Sequence, residues 1–235
     1  MILKKQVAQF KTLNRWFQSP LGEAVAQEFT HVLEPQAHYL KGDILVQLGD
    51  NGAHPWLSSL NYKYKWIASP YNSHNACSME SALNHLPLPR NSVDCLVAPL
   101  TLEPFGSSFS LLDEIDRVLK PMGYIVLLGI NPWSLWGLGI KSGLVSGFDK
   151  ASVKMRTPMH INRIFMQRGY TQCNLEHFCY IPPINNQKII NQLCFLHEVG
   201  KMLWPFPSGF YYYIAQKNEY GLTCIRTKSL KHLLT

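Results

Sequence analysis

A loop of four small or polar residues is the first part of the sequence suited to binding a ligand. Gly49, Asp50, Asn51 and Gly52 directly follow a short apolar segment, residues 44–48, that predicts a strand. Glycine lets a ligand approach the backbone closely, and Asp and Asn tolerate tight turns. The loop can therefore hold a ligand against its backbone, although the same residues also form ordinary turns.

Two further polar segments are expected at the ends of later strands. Residues 99–104, which include Thr101 and Glu103, end a nearly continuous apolar run, and residues 131–137 follow a second run. In an open parallel sheet, ligands bind outside the carboxyl ends of the strands. We therefore expect the three segments to meet at one edge of a sheet.

The segment at 131–137 combines an amide with two indole rings. Asn131 is a candidate for orienting a substrate group, and Trp133 and Trp136 are candidates for an apolar or cation-binding wall. The alternative is that both tryptophans only cover the edge of the sheet. Glu103 is the other polar candidate, and its alternative role is a structural contact with the next loop.

The elements that must position these segments alternate between strands and helices. Helices are predicted at residues 55–60, 107–120, 157–169 and 187–203, and residues 77–84 form either a brief strand or a helical turn. Strands are predicted at residues 44–48, 62–68, 93–100, 124–129, 171–180 and 210–216. This order predicts a doubly wound, mostly parallel α/β sheet.

The chain divides into one domain with an extension at each end. Residues 1–40 are predicted as a helical extension, residues 41–217 as the domain, and residues 218–235 as a basic tail. The predicted helix at 187–203 is apolar on much of its circumference. It is therefore either deeply buried or covers a substrate site or a partner.

Composition excludes several classes of protein. The 235 residues are 46% hydrophobic and only 16% charged, with a formal net charge of +7, which excludes a disordered chain. The longest strongly apolar run, residues 124–130, is too short to span a bilayer, and we expect no signal peptide. The six cysteines form no CxxC pair and the histidines no HxxxH pair, so we expect reduced thiols, no metal site and a cytoplasmic location.

Three motifs occur together in the middle of the chain: LPLP at 86–89, NSVD at 91–94 and LLDEIDRVLKPMG at 111–123. This block resembles class I methyltransferases that use S-adenosylmethionine, and most closely their type 11 group, whose pattern runs L-P-F, S-F-D and L-x-E-x-x-R-V-L-K-P-G-G. The sequences NPWSLWG at 131–137 and QLG at 47–49 resemble one bacterial branch of these proteins. The element order extends the resemblance over roughly residues 40–217.

The resemblance implies a Rossmann-like sheet of seven strands whose last hairpin is antiparallel. It also implies that S-adenosylmethionine lies over the glycine loop, with its ribose near the end of the second strand and its adenine near the loop before Leu86. The implied cofactor-binding residues are Gly49, Asp50, Asn51, Gly52, Ser69, Asn84, His85, Leu100 and Thr101.

The sequence departs from the family pattern at the cofactor. Ser69 stands near the end of the second strand, where the family usually has an acid for the ribose hydroxyls, and Ser81 or Ala82 replaces the usual aspartate near the adenine. Asn51 replaces one glycine of the loop. Thr101 stands where relatives often carry a histidine, so catalysis would rest on Asn131, Thr101 or Glu103 and mainly on alignment of the reactants.

Three functions follow from these observations. The first is S-adenosylmethionine-dependent methyl transfer to an unknown, small acceptor. The second is a binding or regulatory module that keeps the fold without catalysis, because the acids are missing. The third is an RNA-associated methyltransferase, since both ends of the chain are basic, although no RNA-binding motif is present and a basic surface often has no such partner.

Overall fold

The structure is a computed structural model, and it describes residues 2–72, 77–105, 110–145, 148, 153–183 and 207–219. The helices are α1 (Ile2–Phe17), α2 (Pro20–Leu33), α3 (Trp56–Ser59), α4 (Leu102–Phe105), α5 (Ser110–Val118), α6 (Leu135–Ser142) and α7 (Pro158–Gln167). The strands are β1 (Lys41–Leu48), β2 (Asn61–Ser69), β3 (Met79–Glu80), β4 (Val93–Pro99), β5 (Leu119–Ile130), β6 (Tyr170–Phe178) and β7 (Phe210–Lys217). The predicted helix at 187–203 and residues 220–235 of the predicted tail lie outside the described residues.

The seven strands form one sheet in the order β3-β2-β1-β4-β5-β7-β6. Neighbouring strands from β3 to β5 are parallel, whereas β7 runs antiparallel to both β5 and β6. The expected mostly parallel sheet with an antiparallel last hairpin is therefore confirmed. The chain moves outward from β1 in one direction and from β4 in the other, so the crevice between their carboxyl ends is the switch point where such sheets bind ligands.

Helix α1 crosses the edge of the sheet and reaches the cores on both faces. Its Phe10 is fully buried in the cluster that contains Val46 and Leu48 of β1. Trp16 and Phe17, less than two turns later, are buried in the other cluster, with Leu45 from the opposite face of β1. The predicted N-terminal helices are present, and α1 lies where it can contact the loops at the switch point.

The turn between α1 and α2 fixes how α1 is held. Ser19 caps α2 by accepting a hydrogen bond from the Gly22 N–H through Oγ, and Pro20 occupies the first helical turn. A Cβ on Gly22 would lie 2.1 Å from the Trp16 carbonyl oxygen, so only glycine allows the two helices to approach this closely. None of the described helices is long and apolar enough to cross a membrane.

Two predicted boundaries differ from the structure. The predicted helix at 107–120 ends at Val118, and β5 begins at Leu119 instead of residue 124. Pro121 and Gly123 therefore lie inside a strand, where extra β5 residues at a register shift against β4 and the positive φ of Met122 (63°) accommodate them. The ambiguous segment at 77–84 contains the two-residue strand β3 and no helix.

Candidate active site

The glycine loop lies at the carboxyl end of β1 with two residues in the left-handed region. Gly49 has φ 91° and Gly52 has φ 73°, so both positions favour glycine on conformational grounds. Space is a second reason, because a Cβ on Gly49 would lie 2.9 Å from the Phe10 ring and one on Gly52 would lie 3.0 Å from Phe17. The predicted loop therefore exists, and α1 packs directly against it.

A buried chain of hydrogen bonds holds the acid of this loop. The Trp56 indole N–H donates to Gln47 Oε1 at 2.8 Å, which fixes the orientation of that amide. Gln47 Nε2 then donates to the Gly49 carbonyl at 2.9 Å and to His54 Nδ1 at 2.7 Å. His54 consequently carries its proton on Nε2 and donates it to Asp50 Oδ1 at 2.8 Å. Asp50 is thus oriented by the residues around it.

Asn14 of α1 satisfies polar groups of the loop from the other side. Its Oδ1 accepts a hydrogen bond from the Gly52 N–H at 2.9 Å. Its Nδ2 donates to the Tyr71 hydroxyl at 2.9 Å and to Asp50 Oδ2 at 3.3 Å. One half-buried amide of α1 therefore makes the contacts that a bound ligand would be expected to make with this loop.

The end of β4 forms the other wall of the crevice. Thr101 Oγ1 donates to the Leu48 carbonyl at 2.8 Å, and Asn51 Nδ2 donates to the Pro99 carbonyl at 2.8 Å, so the β1 and β4 loops are tied together. Leu100, which lies between Pro99 and Thr101, has a φ of 51°, which is uncommon for leucine. Asn51 Oδ1 is buried and makes no hydrogen bond.

Glu103 lies in α4, two residues beyond Thr101, with only 4% of its surface exposed. Its Oε1 accepts a hydrogen bond from the Ile130 N–H at 3.3 Å, and its Oε2 is buried without a hydrogen bond. Burial raises the pKa of Glu103 to about 7, an effect that backbone hydrogen bonds and Arg156 only partly offset. Glu103 can therefore accept or release a proton near neutral pH.

The segment after β5 contains one buried and one exposed tryptophan. Trp136 is buried and donates to the Ile181 carbonyl at 2.8 Å, whereas Trp133 is 73% exposed. Asn131 Oδ1 accepts from the Trp133 N–H, and Ser134 caps α6. Trp136 therefore packs in the core and Trp133 does not, so the two indoles do not form one buried surface.

The residues expected near the ribose and the adenine lie in two segments outside the glycine loop. Ser69 is buried, its carbonyl accepts from the Ser81 N–H at 2.9 Å, and its Oγ accepts from the Tyr71 N–H at 3.4 Å. Asn84 is half-buried and His85 is exposed, in the turn that precedes Leu86. The end of β2 is thus occupied by main-chain pairing.

The sequence motifs in the middle of the chain form a structural clamp. Glu114 Oε1 accepts the Leu86 N–H at 2.6 Å, and Arg117 donates to the carbonyls of Leu86 and Leu88. Arg117 also pairs with Glu114 and holds the pKa of that carboxyl below its usual range. The motif therefore fixes the loop before β4 to α5.

Comparison with known proteins places these features in a family context. Residues 60–127 match the family model described as a methyltransferase domain, a range that runs from β2 into β5 and excludes the glycine loop. The chain has the class I methyltransferase fold. No curated protein sequence matches it. The family match and the seven-stranded sheet confirm the resemblance to class I methyltransferases, and the resemblance of residues 131–137 to one bacterial branch stays a prediction.

Solved structures show how widely this fold is shared. A SAM-dependent methyltransferase from Thermotoga maritima is 15% identical, with 93% of this chain and 100% of that chain covered and a TM-score of 0.61. One from Archaeoglobus fulgidus is 18% identical, with 80% and 93% covered and a TM-score of 0.57. The [4+2]-cyclase SpnF is also similar, at 14% identity, 81% and 80% coverage and a TM-score of 0.55. The fold alone therefore does not fix the reaction.

The residues of the crevice fit S-adenosylmethionine, the cofactor implied by the resemblance. Its ammonium group is a donor suited to Asn51 Oδ1, the buried acceptor that lacks a partner. Gly49 and Gly52 carry no side chains, but Phe10 and Phe17 of α1 occupy the space beside them. The present position of Phe10, however, blocks close approach to Gly49, so binding there requires α1 to shift.

Sequence reasoning missed the residues that surround the loop, which are Phe10, Asn14, His54, Trp56 and Tyr71. The only signal for Asn14 is that it interrupts the apolar face formed by Phe10, Leu13 and Phe17. His54 lies four residues after Asp50, but in a loop this spacing does not predict contact.

Proposed function

We propose that this chain transfers a methyl group from S-adenosylmethionine to a small acceptor at the crevice between β1 and β4. The observation that carries the proposal is the glycine loop at the switch point of a methyltransferase fold, next to a buried acceptor, Asn51 Oδ1, without a hydrogen bond. A family match over residues 60–127 supports the same reaction class. A cytoplasmic location belongs to the proposal, supported by four described cysteines that are free thiols.

The chain's own residues would have distinct tasks. The cofactor would supply an activated methyl group. Asn51 would accept a hydrogen bond from it, and Leu100 and Thr101 would form the wall at the end of β4. Glu103, whose pKa is raised to about 7 by burial, is the residue of this wall suited to accept a proton from an acceptor. Asn131 would act by shaping the loop before α6.

Cofactor binding requires that α1 separate from the loop. Phe10 lies against Gly49, and Asn14 holds the Gly52 N–H, the Asp50 carboxylate and the Tyr71 hydroxyl. We therefore propose that the arrangement described here is a closed form and that binding selects an open form.

Titration calorimetry with S-adenosylmethionine and S-adenosylhomocysteine tests this function. We expect saturable binding, weakened about tenfold or more in Asn51→Ala because a charge-assisted hydrogen bond is worth about 1.5–3 kcal/mol. Asn61→Ala is the matched control, since Asn61 is exposed at the amino end of β2, at the opposite edge of the sheet. Absence of binding at millimolar ligand to the folded protein would exclude the proposal.

A second candidate function is a binding or regulatory module without catalysis. It is favoured by the contacts of Asn14 with the loop and by the absence of an acid at Ser69. The two candidates differ in a simple way. A protein that has lost cofactor binding will not regain it when α1 is loosened, whereas a closed methyltransferase will bind more tightly.

A further inference from the structure

Exposed apolar side chains are concentrated around α6. In the part of the chain that the structure describes, seven large hydrophobic side chains are exposed, and four of them lie between residues 133 and 159. These four are Trp133, Leu138, Leu144 and Met159, each with between 55% and 85% of its surface exposed. Single exposed apolar side chains are normal on a protein surface, whereas several near one another mark a contact with a partner or a membrane.

Helix α6 has a core side and an outer side. Trp136 and Ile140, four residues apart, are buried in the core cluster beneath the helix. Leu138 and Lys141, three residues apart, lie together on the other side and are exposed. The outer side of α6 therefore carries an apolar side chain next to a cation.

The exposed side chains continue beyond both ends of this helix. Trp133 lies just before α6 and Leu144 just after it. Met159 lies in the first turn of α7, and the next residue, His160, lines the same cavity as Lys141, so the end of α6 and the start of α7 are neighbours. We define the α6 surface as Trp133, Leu138, Lys141, Leu144 and Met159.

The stretch of sequence that carries the α6 surface is basic. Residues 131–163 contain five lysines or arginines and a single acidic residue, Asp149. The net charge of this stretch is therefore +4, which is more than half of the +7 of the whole chain. Any ion pair made within the stretch leaves this net charge unchanged. A net positive charge attracts the anionic lipids of a membrane, with a gain of about fivefold in binding for each basic side chain near the bilayer.

The combination of apolar and basic side chains fits a bilayer better than a folded protein. Tryptophan and leucine are favourable at the boundary between lipid headgroups and acyl chains, and a lysine there keeps its ammonium group among the headgroups. The cores of protein–protein interfaces are, in contrast, depleted in lysine. Lys141 lies between Leu138 and Leu144 in the chain, so a protein partner would have to cover its charge.

We infer that the α6 surface docks on a bilayer that contains anionic lipids. The apolar side chains enter the headgroup region, and Lys141 lies near the lipid phosphates. Helix α6 follows β5 directly, and the last residue of β5, Ile130, donates its N–H to Glu103, so the surface and the crevice lie at the same edge of the sheet. The inference does not rest on the proposed methyl transfer.

Flotation of the full chain with lipid vesicles tests the inference. The vesicles consist of phosphatidylcholine alone or of phosphatidylcholine mixed with phosphatidylglycerol, which is anionic. We expect binding to the mixed vesicles that is at least about fivefold tighter than binding to phosphatidylcholine alone and that weakens as the salt concentration rises.

Variants of exposed residues locate the contact. Leu138→Ser and Leu144→Ser should each weaken vesicle binding about threefold to tenfold, and Lys141→Gln about fivefold. Met122→Ser and Lys41→Gln are the matched controls, because both residues are exposed and lie at the amino ends of β5 and β1, at the opposite edge of the sheet. Both control variants should bind like the native chain.

The fluorescence of Trp133 gives a signal specific to this position. Among the tryptophans that the structure describes, Trp133 is exposed, whereas the others are buried or half-buried: Trp16, Trp56, Trp66 and Trp136. Mixed vesicles should shift the emission of the native chain to shorter wavelength, and Trp133→Phe should lose most of this shift while still floating with the vesicles. A full shift in Trp133→Phe would show that another part of the chain contacts the lipid and would overturn the inference.

The remaining outcomes also decide the question. The inference is wrong if the chain does not bind mixed vesicles, or if the control variants lose as much binding as Leu138→Ser and Leu144→Ser. Self-association in sedimentation velocity that Leu138→Ser weakens, without vesicle binding, would assign the surface to a second copy of the chain instead. Cofactor binding is measured separately by calorimetry. Vesicle binding without S-adenosylmethionine binding would refute only the proposed function, and the reverse result would refute only the docking surface.

Discussion

Replacing Asn14 by alanine tests whether α1 competes with the cofactor. The change removes two hydrogen bonds of 2.9 Å, to the Gly52 N–H and the Tyr71 hydroxyl, and a longer one of 3.3 Å to Asp50. At about 0.5–1.5 kcal/mol for each net hydrogen bond, loss of the two shorter bonds destabilises the closed form by about 1–3 kcal/mol. The open form loses nothing, because water already satisfies these groups there.

The loss converts directly into ligand affinity. When the closed form predominates, the apparent Kd falls by the factor by which the open fraction rises. About 1–3 kcal/mol corresponds to roughly 5- to 150-fold tighter binding of S-adenosylhomocysteine. The free energy of unfolding, measured by urea denaturation, should fall by a similar amount.

Gln18→Ala is the control for this experiment. Gln18 donates to Asn14 Oδ1 at 3.2 Å and is exposed, so its loss changes the surroundings of Asn14 while leaving all three contacts with the loop and Tyr71 intact. Ligand affinity should stay within about twofold. Our reasoning is refuted if Asn14→Ala lowers stability while affinity is unchanged or weaker, since α1 would then support the ligand instead of excluding it.

Three further predictions concern buried groups. Glu103→Gln should raise the free energy of unfolding by up to about 3 kcal/mol at pH 8 and by little below pH 4.5. Burial raises the pKa of Glu103 to about 7, so ionisation of this carboxyl destabilises the folded chain as the pH rises, and glutamine avoids that cost. Glu114→Gln should lower the free energy of unfolding by about 1–2 kcal/mol at pH 7, because a neutral amide accepts the Leu86 N–H less strongly than a carboxylate does. The difference should shrink as the pH falls, since the pKa of Glu114 is lowered in the folded chain. Trp136→Ala should cost about 3–5 kcal/mol and Trp133→Ala less than about 0.5 kcal/mol.

Denaturant titration over a range of pH checks these values. A pH-independent difference between Glu103→Gln and the native chain would show that Glu103 is ionised or exposed throughout. A Glu114→Gln penalty that grows toward acid pH, or equal effects of the two tryptophan variants, would contradict the contacts on which the other two predictions rest.

The fold could be predicted from the sequence where burial alone decides the pattern of apolar residues. The core strands β4 and β5 are covered on both faces, so their apolar runs predict strands, and the loops after them must share an edge of the sheet. The start of β5 was missed because Pro121 and Gly123 are usual helix-stop residues and become strand residues only through the bulge at Met122.

Only part of the candidate site could be predicted from the sequence. The glycine loop and Thr101 were identified because the residue types and their place after a strand suffice. Asn14 contacts Gly52 and Tyr71, which follow it in the chain by 38 and 57 residues. These contacts depend on how α1 crosses the sheet, which no local sequence pattern specifies. Trp136 is buried and Trp133 exposed because the Ser134 cap begins α6 between them, and only Trp136 is in the helix.

The departures from the family pattern and the position of α1 have a common consequence for the cofactor. With Ser69 in place of the usual acid, the ribose would lose a charge-assisted hydrogen bond worth about 1.5–3 kcal/mol, and breaking the Asn14 contacts to open α1 would cost about 1–3 kcal/mol more. Together these two terms would weaken affinity by about two to four orders of magnitude relative to an open site with the acid. The proposed α1 equilibrium would therefore contribute about as much to affinity as the missing acid. We expect any ligand or partner that holds α1 away from Gly52 to raise cofactor affinity, without touching the cofactor itself.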